Sequence, residues 1–384
     1  MDIFDVLIIG AGPGGSKAAI ECLNKGLSVL IVEKKKTPGL PVHCGECISE
    51  FAFSNTSVKP PENTISNRVK GVRVTFPGNH KTFLGDRGVV LNKDIFEQWL
   101  FEEAVKKGAS FRLKARVTDL KKSGSNWQIR TDNEIFRSKV VIDASGVSAV
   151  ANRLLKINKP FTYTTGLQYE IEGDFESDII DFYLWPEYTE HGYIWVIPKG
   201  DNRFNVGLLS KNGKDLQNSL NRFVANMGFS NNIIKKAGGR MPSSGPLKKT
   251  YSDGLIFIGD AAGFTSPLFE GGTHLALKSA CFAADAVINF LKRGKDLKGY
   301  QRRWRRSFPK YDRILGGKRK LYGLENNDME RLGGYLPEDV TYHSVFDKII
   351  SGSKMFFNDR DLIYKGSIDI MRAFEGSKAQ NYGW

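Results

Sequence analysis

Val6-Leu7-Ile8-Ile9-Gly10-Ala11-Gly12-Pro13-Gly14-Gly15 is the stretch that decides the fold: an apolar strand running straight into a glycine-rich turn that opens a helix. Gly10 permits the tight turn, Gly12 lets the backbone approach a pyrophosphate, and Gly15 lets helix and strand pack closely. The unpaired N–H groups at the start of the helix, around Pro13 and Gly14, face the phosphates. Ser28 to Val32 reads as the next strand. It ends in Glu33, 18 residues past Gly15, close to the spacing of about 20 at which an acid accepts a ribose hydroxyl. Lys34 is grouped with the same nucleotide end. Pyrophosphate plus ribose predicts a dinucleotide.

Far downstream, Gly254 to Ile258 reads as a short buried strand entering Gly259-Asp260-Ala261-Ala262-Gly263. An aspartate at a strand end, beside glycine, can accept from a sugar-like hydroxyl, and the small residues after it admit something flat. The two turns together resemble the two-part FAD site of the para-hydroxybenzoate hydroxylase superfamily, where the second aspartate meets the ribityl chain. That resemblance implies FAD. A third apolar run, Val140 to Ile142, ends in Asp143-Ala144-Ser145-Gly146 and is similar to a superfamily element near the flavin and its phosphates; the competing reading is an ordinary strand-to-loop turn. No second G-x-G-x-x-G follows a strand. A separate nicotinamide domain is therefore not expected, and the electron donor visits the flavin or is another protein.

The 384 residues can bury a substantial core in one large or two intimately joined domains. No uncharged apolar run reaches the roughly 18 residues of a membrane span, and the N-terminus reads as a strand rather than a signal peptide. A cytoplasmic protein, peripheral at most to the membrane, is expected. The 4 cysteines do not make a disulfide scaffold. The net charge of +14 is concentrated between Lys292 and Tyr322, where 13 Lys or Arg face 2 Asp and leave only +3 elsewhere. Trp304, Phe308, Tyr311 and Leu315 recur there at helical spacing, with Pro309 kinking or restarting the helix. Two readings stand: a docking surface for anionic lipid or an acidic electron donor such as a ferredoxin, or a solvated cationic face with its aromatics inward. No nucleic-acid partner is expected.

The fold class read from these pieces is α/β: a Rossmann-like FAD-binding domain, an inserted antiparallel-sheet substrate domain and a C-terminal helical region. Residues 1–58, 85–160 and 245–295 are assigned to the first, 59–84 and 161–244 to the second, and 296–384 to the third. Asn92 to Ala109 predicts a helix with Ile95, Phe96, Trp99, Leu100 and Ala104 on one face. Phe161 to Ile171, Asp178 to Trp185, Gly192 to Ile197 and Arg203 to Leu209 read as successive strands, followed by a helix marked by Leu216, Leu220, Phe223, Val224 and Met227.

Pro41-Val42-His43-Cys44-Gly45-Glu46-Cys47, taken with Gly192-Tyr193-Ile194-Trp195-Val196-Ile197-Pro198-Lys199-Gly200, resembles the geranylgeranyl reductases, flavoproteins that saturate isoprenoid chains. The likeness spans roughly residues 1 to 290. It implies that the Cys44 loop, with Gly45, and the Tyr193 strand line a cavity beside the flavin ring, and that the substrate is an isoprenoid lipid or prenyl diphosphate. An unconjugated alkene accepts hydride poorly and must gain a proton with it. Tyr193 and Trp195 share a strand face and can stabilise the cationic carbon, unless they only fill the sheet's own core. Glu46 is a candidate proton donor on the argument that burial keeps a carboxyl protonated; Cys44 is the other. Cys47 stands where the family has glycine. It creates Cys44-x-x-Cys47, read as two free thiols or a redox dithiol. No metal site is expected.

Ser266 and Pro267 lead to Gly271, Gly272 and a helix whose start, in the superfamily, faces the flavin edge with its positive dipole end. Glu270, Thr273 and His274 depart from that pattern. Glu270 either places a negative charge beside that edge or points to solvent. Lys93 stands where relatives have arginine near the cofactor, keeping the charge without the bidentate fork. Two alternatives remain at this level. The Tyr193 strand also resembles the W-x-W-x-I-P signature of flavin-dependent halogenases, with Tyr193 replacing the first tryptophan, which keeps monooxygenase or halogenase chemistry open; a flavin electron carrier docking through the basic segment is the other.

Overall fold

The computed structural model describes residues 3–341 apart from 174, 176, 212 and 309, and residues 354–383 apart from 356. Its first sheet is centred on Ile3–Ile9, in which Val6, Leu7 and Ile8 are wholly buried. Val29–Val32 and Ile135–Asp143 flank it in parallel, and Leu255–Phe257 runs parallel to Ile135–Asp143. These strands read as unbroken apolar runs because parallel strands are covered on both faces. Ser110–Arg112 and Tyr251–Ser252 close the two edges, and the hairpin Val117–Ser123 with Asn126–Thr131 attaches to Ile135–Asp143.

Parallel order brings three strand ends to one side of the sheet. Ile9, Asp143 and Phe257 deliver the Gly10–Gly15, Ala144–Gly146 and Gly259–Asp260 turns to a common crevice, the usual place for a ligand in an open α/β sheet. Helices Pro13–Leu23 and Thr273–Arg293 start there and pack together. Thr273–Arg293 is long and apolar enough to cross a membrane by length and composition, but half of its apolar window is buried in this packing.

A seven-stranded sheet runs in the order Ile233–Pro242, Tyr163–Glu172, Arg203–Ser210, Tyr193–Gly200, Ile179–Tyr183, Gly71–Thr75, Lys81–Leu84. It is antiparallel except where Gly71–Thr75 pairs in parallel with Ile179–Tyr183. That pairing departs from the expected all-antiparallel insert, because the strand arrives from an earlier segment rather than through a hairpin. The Tyr193 strand divides by period two. Tyr193, Trp195 and Ile197 join the main core, while Ile194 and Val196 pack with Phe204, Val206 and the helix Leu216–Asn226 in a second core. A small sheet of Cys47–Ser49, Gly88–Leu91 and Ile65–Val69 carries the cysteine loop.

The helix Lys93–Lys106 buries Phe96, Leu100 and Ala104, but Ile95 is 40% exposed, turned away from the face assigned to it. In the basic segment one helix ends at Ser307 and the next begins at Tyr311; Pro309 lies outside the described residues. Trp304, Phe308 and Tyr311 are buried, which places its aromatics inward.

Candidate active site

A cavity of about 320 Å³ lies where the crevice meets the inner face of the second sheet. Gly12, Pro13, Gly14, Gly146, Gly259, Asp260, Gly271 and Gly272 line one side, and Cys44, Gly45, Glu46, Tyr193 and Trp195 the other, with Lys93 between. Gly10, Gly15, Glu33, Lys34, Asp143 and Pro267 lie outside this lining. Four of them build the turn behind it. A Cβ on Gly10 would stand 2.5 Å from the Ala144 carbonyl oxygen, and one on Gly15 only 1.9 Å from that of Gly10. Glu33 accepts from the N–H groups of Ala11 and Lys35, both at 2.8 Å, so it staples the turn to the second strand. Asp143 accepts from Ser145 and Ala151 and thereby caps the helix Val150–Leu155. Burial still raises its carboxyl above the usual range. Lys34 is exposed, and Pro267 is buried in the loop before the long helix.

The residues present fit a dinucleotide flavin. Around Gly12 no atom stands within 4 Å of where a Cβ would be, so the helix start is open to a phosphate. Asp260 has no side-chain donor among the described residues, and burial pushes its carboxyl to about 6. Its oxygen lies 2.7 Å from the position of a Cβ on Gly272, which holds the helix start against it. A buried acceptor facing a cavity suits a sugar-alcohol hydroxyl. Lys93 opposes burial with its neighbours Glu97 and Cys44, which hold its pKa up, and donates to Thr273 at 3.0 Å. The lone lysine thus binds the start of the long helix rather than forking onto a ligand.

The apolar wall is aromatic. Tyr193 has ring centroids of Phe182, Phe269 and Trp195 within 5.2, 5.4 and 5.9 Å, and its hydroxyl donates to the Phe269 carbonyl. Trp195 donates through Nε1 to Gln168 at 2.8 Å, and Gln168 donates in turn to the Cys44 carbonyl at 3.1 Å. This chain ties the cysteine loop to the sheet. Gln168 had no marker in the sequence beyond a polar residue in an otherwise buried strand.

Glu46 departs from the expected isolated acid. Its backbone is left-handed, with φ 74°, and its carboxylate takes Lys199 Nζ at 2.7 Å and Asn205 Nδ2 at 2.7 Å, with the Lys93 N–H at 3.3 Å. It is a buried ion pair that pins the loop, because a carboxylate withdrawn from water requires such partners. Cys44 is the group that keeps a proton. Burial pushes its thiol up, and it accepts the Glu46 N–H at 3.3 Å. Cys47 is pushed to about 12 by burial, and both cysteines are free thiols. Glu270 follows neither expectation: Lys318 and Thr164 hold its carboxylate in the interior, and the lysine cancels its charge. No cluster of metal-binding side chains is found among the described residues.

Residues 5–328 match the family model described as lycopene cyclase protein. A digeranylgeranylglycerophospholipid reductase of Methanosarcina acetivorans is 33% identical over 365 residues, covering 88% of this chain and 89% of that protein. The chain belongs to the digeranylgeranylglycerophospholipid reductase family. A geranylgeranyl bacteriochlorophyll reductase-like protein of Thermoplasma acidophilum shares its structure with a TM-score of 0.85 and 28% identity, over 96% of this chain and 100% of the other. A flavin-dependent brominase reaches a TM-score of 0.70 at 20% identity, over 94% of this chain and 100% of the other, and so shares the fold alone. The reductase resemblance of the cysteine loop and the Tyr193 strand therefore extends over most of the chain. Membership in this reductase family also accounts for the FAD-type turns.

Proposed function

We propose that the protein is an FAD-dependent reductase that saturates carbon–carbon double bonds in the geranylgeranyl chains of a lipid. The observation that carries this reading is the aromatic cavity, closed by the Cys44 loop and opening onto the crevice formed by the glycine-rich and Asp260 turns. FAD, once bound and reduced, supplies the hydride. The chain's own residues do the rest. Gly12 and Gly14 offer backbone N–H groups to the pyrophosphate, with Pro13 opening the helix between them, Glu33 the nucleotide ribose contact, and Asp260 an acceptor for the ribityl chain. Tyr193, Trp195, Phe182 and Phe269 exclude water and turn ring faces toward a carbon gaining positive charge, worth roughly 0.5–2 kcal/mol per ring. Cys44 Sγ holds the proton for that alkene, while Glu46 and Lys199 fix the loop that presents it.

Residues 1–58, 85–160 and 245–295 form the FAD-binding unit in this reading, with 59–84 and 161–244 as the substrate unit. Electrons arrive from a carrier rather than a resident nicotinamide domain. The Lys292 to Tyr322 segment, with Arg302, Arg305 and Arg306 exposed, suits an acidic donor protein. Incubating the dithionite-reduced holoprotein with geranylgeranyl lipids and reading products by mass spectrometry should show successive gains of two hydrogens. Absence of any gain across lipid and diphosphate substrates would overturn the assignment.

A further inference from the structure

A second, open groove of about 650 Å³ lies on the outer side of the same sheet. It shares Gly166, Leu167, Gly238 and Gly239 with the inner cavity. Gly166 pairs directly with Gly239, and Leu167 with Gly238. Three of these four wall residues therefore lack side chains, and only Leu167 stands in the partition. Added side chains would crowd it: a Cβ on Gly239 would lie 3.3 Å from His43 Cβ, and one on Gly238 3.2 Å from the Gly166 oxygen.

The strand that carries Gly238 and Gly239, Ile233–Pro242, is the free edge of the sheet. Edge strands are commonly protected by lysine and arginine, and this one is basic. Lys235, Lys236 and Arg240 are exposed beside Ile234, which is 48% exposed. Lys235 and Arg240 have no ion pair among the described residues, and Lys236 lies 5.1 Å from the Tyr169 ring centroid. Arg240 stands in the groove itself, where Asp215 is the only acidic lining residue. In the Lys292 to Tyr322 segment Arg303, Lys318 and Lys320 are paired with Asp285, Glu270 and Asp369, while Arg302, Arg305 and Arg306 are exposed with no ion pair among the described residues. Unpaired cations around an apolar tip, at the thin wall of the cavity, match an anionic headgroup layer with oily chains beneath it.

We infer that the Ile233–Pro242 edge docks on an anionic membrane surface, with Lys235, Lys236 and Arg240 against headgroup phosphates. The docking does not rest on the reductase reading. The test is cosedimentation of the holoprotein with phosphatidylglycerol vesicles. Wild type should pellet with them and remain in solution with phosphatidylcholine. Each basic residue near a surface contributes about 1 kcal/mol, so the K235Q/K236Q/R240Q variant should lose on the order of 100-fold in partition, while R302Q/R305Q/R306Q keeps the wild-type value.

Equal pelleting on both lipids, undiminished binding by the edge variant, or a loss seen only in the helix variant would overturn the inference. So would vesicle binding that survives in the edge variant while binding of an acidic ferredoxin-like carrier is lost. Wild-type protein that binds anionic vesicles but reduces no prenyl chain would sink the reductase reading and leave the docking surface standing. Reduction of detergent-dispersed lipid without vesicle binding would do the reverse.

Discussion

Replacing Lys199 by methionine removes the shared cation of an almost completely enclosed cluster: the lysine side chain is 5% exposed, that of Glu46 3%, and that of Glu170, 3.7 Å away and also held by Arg203, 9%. Methionine keeps most of the aliphatic volume, so the change isolates the charge. Asn205 remains as a neutral donor to the same oxygen. Stripping the cation from a buried carboxylate costs about 3–5 kcal/mol. With about 2–4 °C per kcal/mol for a large domain, the melting temperature should fall by roughly 10 °C. The loss should also reach the cofactor, since Glu46 holds the loop that carries Cys44 and Gly45. The assay is thermal unfolding of the holoprotein at neutral pH, followed by intrinsic fluorescence and by release of flavin fluorescence. The double variant Glu46→Gln with Lys199→Met removes both charges and should recover most of the loss, a coupling that a double-mutant cycle reads directly. A single variant melting within about 1 °C of wild type, or a double variant less stable than the single, would refute the account of Glu46 as a pinned anion.

Asp260 gives a pH signature. Its carboxyl, raised by burial from 3.8 to about 6, holds a proton in the folded state after the unfolded chain has released it, so FAD-free stability falls as pH rises through that window. The difference is on the order of 3 kcal/mol; Asp260→Asn should abolish it, melting higher than wild type above pH 6 without flavin, and an unchanged pH slope would count against it. His274 runs the other way. Burial lowers it to about 4, so the unfolded state protonates first and stability is lost as pH falls from about 6.5 towards 4; urea titrations of His274→Gln should show a flatter acid limb. Gly15→Ala forces a methyl into the Gly10 carbonyl and should cost roughly 1–3 kcal/mol or more, read as poor FAD retention on a desalting column. Cys44→Ala should keep the flavin spectrum while slowing single-turnover alkene reduction about 10²–10⁴-fold; a wild-type rate would remove Cys44 as proton donor.

The three strand-end turns could be read from the chain because each is local: a run of buried apolar residues and the glycines or aspartate that follow are contiguous. Tyr193 and Trp195 could be assigned to one face for the same reason, since alternation is a property of a single strand. What could not be read depends on register between distant strands. Gln168 bridges Trp195 to the Cys44 carbonyl only because Gln168 lies opposite Gly207, beside which Trp195 is paired. Lys199 meets Glu46 across 153 positions, and a charged partner at that range converts an expected acid into an anchored anion. Helical spacing alone does not say where an apolar face ends, and Ile95, 40% exposed, lies beyond it. Gly71–Thr75 reached the second sheet through a parallel pairing that no local pattern announces.

Lys318 sits on a helix far beyond the turns that define the cofactor crevice, yet it neutralises Glu270 at the cavity wall. A shortened protein ending soon after Arg293 would retain all the glycine signatures and still strand a bare anion in the interior. The tail is thus both an electrostatic cork and a slab of the core, since Trp304, Phe308 and Tyr311 are buried in it, and a fragment that ends there should fail even with Glu270 neutralised.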